Sequence, residues 1–342
     1  MTDTIKCAVL GLGRLGLHHA KSLKQRAKHA ELVKIVDPIE SHVHQVAEEL
    51  EVPEWTTEPD EAIEDPSIDA LVIVTPTSTH GDLIKKAAKQ GKHVFVEKPL
   101  TQTLAEADEV IQAIEDSGIV CQVGFMRRFD PAYVDAKERI DAGEIGEPLY
   151  FKSITRDSGS PPAEFIKHSG GIFLDCSIHD YDIARYLMNS EITTVAAQGR
   201  ILINDFMKEF NDVDQSITYV EFASGAAGDI EASRTSPYGH DIRTEVIGSE
   251  GTVLIGSLRQ QNVTVLNNKG SNYEIVPDFQ TRFNDAYFIE IQKFVDCVRE
   301  QSAPRVTAWD SKINMEIALE ATQSFLAEGR RRTVHIHTES SL

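Results

Sequence analysis

Through the first third of the chain, short apolar runs alternate with stretches whose apolar residues recur at helical spacing. Beyond it, residues alternate apolar and polar in run after run. Ile5 to Leu10 is the first apolar run and leads directly into Gly11-Leu12-Gly13-Arg14-Leu15-Gly16, followed by a helix-compatible stretch to about Lys28. Leu32 to Val36 reads as the second strand, Ala70 to Val74 as the fourth and Ile119 to Val123 as the last of this half. Val94-Phe95-Val96 ends abruptly in Glu97-Lys98-Pro99, as a buried strand does when it delivers charged side chains to its C-terminal edge. One helix ends near Gly91, and Thr103-Leu104-Ala105-Glu106 is a capping box opening another that ends before Gly118. Strand and helix in regular succession imply an α/β fold with a doubly wound parallel sheet.

The pattern changes after residue 123. Gly124-Phe125-Met126-Arg127-Arg128-Phe129-Asp130-Pro131 leaves the sheet edge and enters a helix ending near Gly143. Strands then follow at Leu149 to Thr155, Thr193 to Ile203, Gln215 to Phe222, Ala226 to Ser233, Ile242 to Ile247, Thr252 to Ile255, Asn262 to Leu266 and Tyr273 to Val276. Turn signals such as Ser224-Gly225, Ser249-Glu250-Gly251 and Asn267-Asn268 separate them, and consecutive strands without helices imply a large, mostly antiparallel open sheet. Helices resume from about Asp285 to Arg299 and from Trp309 to Ala327. The expected boundary therefore divides residues 1–123 from an α+β domain of residues 124–342.

A length of 342 residues suits two such domains better than one core. With 54 acidic against 34 basic side chains the formal charge is −20, and such a surface repels phosphate backbones and anionic lipid. Nucleic acid and membrane are poor partners. The cysteines Cys7, Cys121, Cys176 and Cys297 are scattered, with no CxxC and no zinc-like His spacing, which suits reduced thiols. The apolar run within Met1 to Leu10 is too short for a signal peptide, and no segment approaches the roughly 20 apolar residues that cross a bilayer. The expected location is cytoplasmic.

Chemistry gathers at the strand ends. A GxGxxG between strand and helix is the arrangement that binds a dinucleotide: the first glycine makes the turn, the second admits the pyrophosphate, and the third lets helix and strand pack. Asp37 lies about 20 residues beyond the last glycine, where an acid accepts from ribose hydroxyls and repels a 2'-phosphate, favouring NAD over NADP. Capping the helix after Pro38 suits it equally. Thr75-Pro76-Thr77-Ser78-Thr79-His80 leaves the fourth strand where Thr75, Pro76, Thr77 and His80 can line a cofactor, although such clusters also cap helices. Lys98 at a strand exit calls for a charged or hydroxylic partner, because desolvating an ammonium is costly. In the second half, a helix through Gly170-Gly171-Ile172-Phe173-Leu174-Asp175-Cys176-Ser177-Ile178-His179-Asp180-Tyr181-Asp182-Ile183 would put Asp175 and His179 on one face. An acid that orients an imidazole is the arrangement of a general base. A metal would need Asp182 as a third ligand, and no metal is expected.

With these residues in view, the chain resembles the Gfo/Idh/MocA family of nicotinamide-dependent sugar and polyol dehydrogenases. The motifs are GLGRLG at Gly11 to Gly16, VTPTSTH at Val74 to His80, VEKPL at Val96 to Leu100 and DCSIHD at Asp175 to Asp180. Within the family, GFMRRFDPAY and the GGIFLDCSIHDYDIARYL helix look like the inositol dehydrogenases. The resemblance implies NAD as cofactor, an inositol as substrate and a homotetramer. It makes Lys98 the catalytic lysine, His179 the proton acceptor, Asp175 the acid supporting both, and Glu97 a neighbour of the nicotinamide ribose, with Lys98-Pro99 cis in relatives. Arg127, Asp157 and Tyr238 fall at or near inositol-contacting positions, His240 replacing Tyr238 if the match slips by two. Other readings on this fold are a dehydrogenase of a pyranose, an NAD-dependent glycosidase and a non-catalytic NAD sensor.

Overall fold

A computed structural model describes residues 4–261 and 263–335. Six parallel strands, β1 (Ile5–Leu10), β2 (Ala30–Val36), β3 (Glu54–Thr56), β4 (Ala70–Ile73), β5 (His93–Glu97) and β6 (Cys121–Gly124), form the first sheet in the order β3-β2-β1-β4-β5-β6. All four residues of β4 are buried, so both faces of the central sheet are covered, and this is why the strand reads as an unbroken apolar run. The connecting helices are α1 (Arg14–Gln25), α2 (Glu40–Leu50), α3 (Pro59–Ile63), α4 (His80–Lys89) and α5 (Leu104–Ser117). Strand order reverses between β1 and β4, and ligands of open α/β sheets bind at such a switch point. The capping box of α5 is half made. Thr103 accepts from the Glu106 N–H at 3.2 Å, but Glu106 accepts from Gln102 rather than Thr103.

Asp130 caps α6 (Pro131–Asp141) by accepting from the N–H groups of Ala132 and Tyr133, with Pro131 in the first turn where no N–H is needed. The second sheet joins seven strands in the order β12-β11-β7-β10-β9-β8-β15: β7 (Pro148–Arg156), β8 (Ile192–Arg200), β9 (Gln215–Phe222), β10 (Ala227–Ser233), β11 (Asp241–Gly248), β12 (Thr252–Ile255) and β15 (Arg332–Thr333). The central β7–β10 pair is parallel and the other pairs are antiparallel. The expected strand from Thr193 to Ile203 stops at Arg200 because the N–H groups of Leu202, Ile203 and Asn204 all donate to the Asp214 carboxylate. Of the expected strand from Asn262 to Leu266, Asn262 lies outside the described residues. The observed pair is β13 (Val265–Asn267) with β14 (Gly270–Asn272), and Tyr273 to Val276 contributes one isolated bridge, from Ile275 to Arg259.

The expected single helix through Asp175 and His179 is interrupted. After α7 (Ala163–Ser169) come α8 (Ile172–Asp175) and α9 (Ile178–Met188), separated where the Ser177 N–H reaches back to Ile172 O. The last two helices among the described residues are α10 (Phe279–Glu300) and α11 (Ala308–Leu326). Helix α10 starts before the expected Asp285 because Asp278 accepts from the Thr281 N–H, and Phe283 (φ −111°, ψ 19°) kinks it.

The chain divides into two compact units: Met1–Phe129 with Asp285–Lys312, and Asp130–Asn284 with Ile313–Leu342. The expected boundary after residue 123 lies close to the break at Phe129, and Asp285–Lys312 belongs with the first unit. Ile291, Phe294, Val295 and Val298 of α10 are buried in the same core as Ile5, Val9, Leu23, Leu32, Ile35 and Val46. An apolar helix face does not announce in sequence which core it will join.

Burial alone would raise the Asp214 pKa, but the N–H groups of Asn204, Leu202 and Ile203 and the Asn204 amide hold it below the ordinary carboxylate value. Replacing Asp214 by Ala orphans those donors and lowers unfolding free energy by about 2–3 kcal/mol, the range of charge-assisted hydrogen bonds. Because the folded pKa is depressed, this stabilisation is present above the ordinary aspartate pKa and is lost as pH falls through the folded value. Urea titrations of both proteins from neutral to acid pH check it; a gap between them that does not narrow on acidification contradicts the account.

Candidate active site

In the first unit the expected site residues stand at the C-terminal edge of one parallel sheet. Gly11 follows β1 at φ +89°, and a Cβ there would lie 2.6 Å from Val74 O. Gly16 is packed harder: a Cβ would lie 1.9 Å from Gly11 O, so only glycine lets α1 pass this close to the turn. Gly13 differs from both, since a Cβ would meet nothing within 4 Å. No side chain caps the start of α1, where Arg14 and Leu15 form the first turn, so the helix N-terminus suits an anion. This is a cradle that a pyrophosphate fits.

Asp37 at the end of β2 is 7% exposed, with one carboxylate oxygen accepting from the Leu12 N–H at 2.9 Å and the other from the Ile39 N–H at 3.0 Å. It ties the glycine turn to β2, and each oxygen keeps a lone pair for a ribose hydroxyl. After β4, Thr75 and Thr79 share a 2.6 Å hydroxyl bond, with Pro76 and Thr77 between them. His80 is buried, its Nε2 3.0 Å from Thr75 O and its Nδ1 3.0 Å from Pro99 O. Burial lowers its pKa, with the backbone contacts working the other way. A neutral imidazole carries a single N–H, so the ring donates to one of these two carbonyls while lying against the other, and it bridges the two strand-exit loops. The Glu97 carboxylate accepts at 2.9 Å from His19, Lys98 follows it partly exposed, and the Lys98–Pro99 bond is cis. Arg127, just beyond β6, is 2% exposed.

The second unit holds a different cluster. Asp175 ends α8 and His179 sits in the first turn of α9, both partly exposed. Helix α9 is fixed beneath the sheet by a 2.7 Å bond from Thr155 to Asp180 and by Tyr181, whose hydroxyl lies 3.1 Å from that of Thr218. Asp182 accepts from the Asn314 amide at 2.8 Å. The Asp175 carboxylate pairs at 3.1 Å with Arg234, which is fully buried. Burial opposes the guanidinium charge, yet Cys176, Asp175, Asp212 and Asp157 together raise its pKa above the ordinary value. Asp157 pairs with His240 at 3.2 Å, and the Cys176 thiol lies 4.0 Å from Asp157 and 3.9 Å from Asp175.

His240, 5% exposed, is the residue brought to Asp157. Tyr238 is 40% exposed, and its hydroxyl is engaged by Arg156 at 2.9 Å and Asp241 at 2.7 Å. Sequence reasoning missed Arg234 altogether. Its one signal is position, immediately after the last residue of β10, where a strand exit turns inward.

Two family models cover most of the chain: an oxidoreductase-family NAD-binding Rossmann fold over residues 5–125, and an oxidoreductase-family C-terminal alpha/beta domain over residues 137–334. The chain is 61% identical to scyllo-inositol 2-dehydrogenase (NAD(+)) of Bacillus subtilis, over 95% of each chain. It is 37% identical to myo-inositol 2-dehydrogenase of Thermotoga maritima, over 94% of this chain and 96% of that one. Among solved structures it resembles a scyllo-inositol dehydrogenase from Lactobacillus casei with bound NAD(H) and scyllo-inositol, with a TM-score of 0.92 and 31% identity over 97% of this chain and 99% of the other.

Gly13→Ala separates the cradle from the fold. The added methyl meets open space in the protein, so thermal stability holds, while the dinucleotide Kd measured by calorimetry rises at least about tenfold, or 1.4 kcal/mol. Gly16→Ala instead lowers Tm, because its methyl collides with Gly11 backbone. Unchanged dinucleotide affinity in Gly13→Ala would remove that glycine from the phosphate site.

Proposed function

The chain belongs to the Gfo/Idh/MocA oxidoreductase family, and on that premise we propose that it is an NAD-dependent inositol dehydrogenase. It oxidises a ring hydroxyl of scyllo-inositol, and also of myo-inositol, to the keto-inositol. The observation that carries this reading is 61% identity over 95% of the chain to a scyllo-inositol 2-dehydrogenase (NAD(+)). Asp37 at the ribose end of the glycine cradle supports NAD rather than NADP.

Bound at Gly11, Gly13 and Gly16, NAD supplies the hydride acceptor. The hydroxyl proton must leave as the hydride does, and His179 is the base that takes it. Lys98 donates a hydrogen bond to the reacting oxygen and stabilises the negative charge developing there, a role worth about 2.7–4 kcal/mol for comparable oxyanion donors. Asp175, anchored through Arg234, holds its carboxylate in place for these two residues. A cyclic polyol offers hydroxyls on every carbon, and Asp157, Arg127, Arg234 and His240 are a polar set able to satisfy them. His240 takes the substrate position expected for Tyr238, since it pairs with Asp157 while the Tyr238 hydroxyl is committed to Arg156 and Asp241.

The same reading includes a homotetramer in the cytoplasm. Ile217 and Tyr219 of β9 are 49% and 43% exposed on the outer face of the second sheet, a surface that a second copy would cover.

Lys98→Met and His179→Asn should each lower kcat at least about a hundredfold with little change in NAD affinity, and the double variant should lose less than the product of the two. Stopped-flow turnover with calorimetric NAD titration checks both; brisk turnover in either variant removes the role given to that residue. A second measurement follows NADH formation with scyllo-inositol, myo-inositol, D-chiro-inositol, glucose and a simple 2-hydroxy acid. Inositols should exceed the hydroxy acid by about a thousandfold or more in kcat/KM, because missing hydroxyls leave buried polar groups unpaired. Activity confined to glucose would keep the dehydrogenase chemistry and sink the inositol assignment.

A further inference from the structure

Behind the cofactor edge of the first unit, three ionisable side chains are buried together. His19 on α1, Glu97 at the end of β5 and Glu290 on α10 are 0%, 7% and 0% exposed, and they bring one nitrogen or oxygen each within 4.8 Å of one another. His19 and Glu97 are joined at 2.9 Å. The rings of Phe95 and Tyr287 lie 5.2 and 6.0 Å from the His19 ring. Neither carboxyl oxygen of Glu290 meets a hydrogen-bond partner, and neither does His19 Nδ1.

His19 Nε2 is thus the only hydrogen-bond partner that the cluster offers to a carboxylate, and Glu97 takes it. An ionised Glu290 would be a second buried anion with no donor at all, a state that costs several kcal/mol and is relieved by taking up a proton. Burial first, and the Glu97 charge second, push the Glu290 pKa well above the ordinary value. Other titratable groups nearby do not reverse this. His18, next along α1, is lowered to about 4, chiefly by burial, so it is neutral at neutral pH.

We propose that His19, Glu97 and Glu290 form a positioning cluster for Lys98, in which the two carboxyl groups share one proton carried on Glu290. The cluster pins the strand exit bearing Lys98 to the helix that opens the glycine turn and to α10. Gly124, paired with Glu97 across β5 and β6, has no room for a side chain: a Cβ would lie 2.9 Å from the Glu97 carboxylate. The same three residues could be read as metal ligands. However, 2.9 Å between His19 and Glu97 is a hydrogen-bond length, shorter than the roughly 3.3 Å separating ligands about 2.0–2.1 Å from a tetrahedral metal.

The proton sharing stands independently of the substrate, whereas service to Lys98 rests on the function proposed above. The test therefore uses both kinds of readout on the full-length protein. Infrared difference spectra at neutral pH should contain the carbonyl band of a protonated carboxylic acid, which Glu290→Gln abolishes. A raised folded pKa means that wild type loses stability as pH rises from the ordinary carboxylate range toward the folded value, so its Tm should fall progressively below that of Glu290→Gln over that window. For positioning, Glu290→Leu should lower kcat by about tenfold or more with NAD affinity changed less than about twofold, and Glu290→Gln, which restores a neutral donor toward Glu97, should recover most of the loss. An absent band with a Tm gap that ignores pH overturns the shared proton. A tightly bound stoichiometric divalent ion in the purified protein overturns it in favour of a metal site. Equal kcat in the Leu and Gln variants overturns the positioning role.

Discussion

Carboxylates withdrawn from water organise this protein. The chain carries 54 acidic residues, and those that are buried impose a demand that the fold must answer, because an unpaired buried charge costs more than a typical tertiary contact returns. Each answer pins a turn or the end of an element. Asp37 is held by two backbone N–H groups and fixes the glycine turn to β2; Glu97 is held by His19 and fixes the exit of β5. In the second unit Asp180 is held by Thr155 and anchors α9, and Asp175 is held by Arg234 at the end of α8. Asp214 gathers three N–H groups into a turn while its own carbonyl accepts from the Arg234 N–H, so the brace of Asp175 is itself braced.

The two units meet this demand by different means, and the difference follows from their chemistry. In the first, recognition is mostly by backbone: glycines whose missing Cβ atoms make room, and a helix start left uncapped for an anion. Such a site is set by strand register and tolerates little variation at Gly11 and Gly16. In the second, the clustered polar groups are the side chains of Asp157, Asp175, Arg234 and His240 on loops and helix ends, each paired with a residue distant in sequence.

Much of this was legible in the residue order, and the reasons for success and failure are physical. GxGxxG, the acid after β2 and the charged exit of β5 were readable because each is a local device: a turn, a strand end and a helix start lie within a few residues of one another. The short strand β3 (Glu54–Thr56) has too few residues to carry a period, and the small pair β13–β14 has no buried face to impose one. The helix expected through Asp175 and His179 has helical spacing throughout, yet it breaks at Cys176–Ser177, where the Ser177 N–H bonds five residues back to Ile172 O, a choice that periodicity does not record.

The sequence by itself determined the two sheets, the parallel order of strand and helix in the first, and the dinucleotide turn. Tertiary structure alone decided that α10 joins the first core, that Arg234 holds Asp175, that His240 rather than Tyr238 stands beside Asp157, and that Glu290 meets Glu97 and His19. The division is one of range. Backbone propensity and periodicity act over a turn or a strand and leave their mark on neighbouring residues, whereas the pairing of a buried charge is settled by whichever distant donor the packed core brings within about 3 Å.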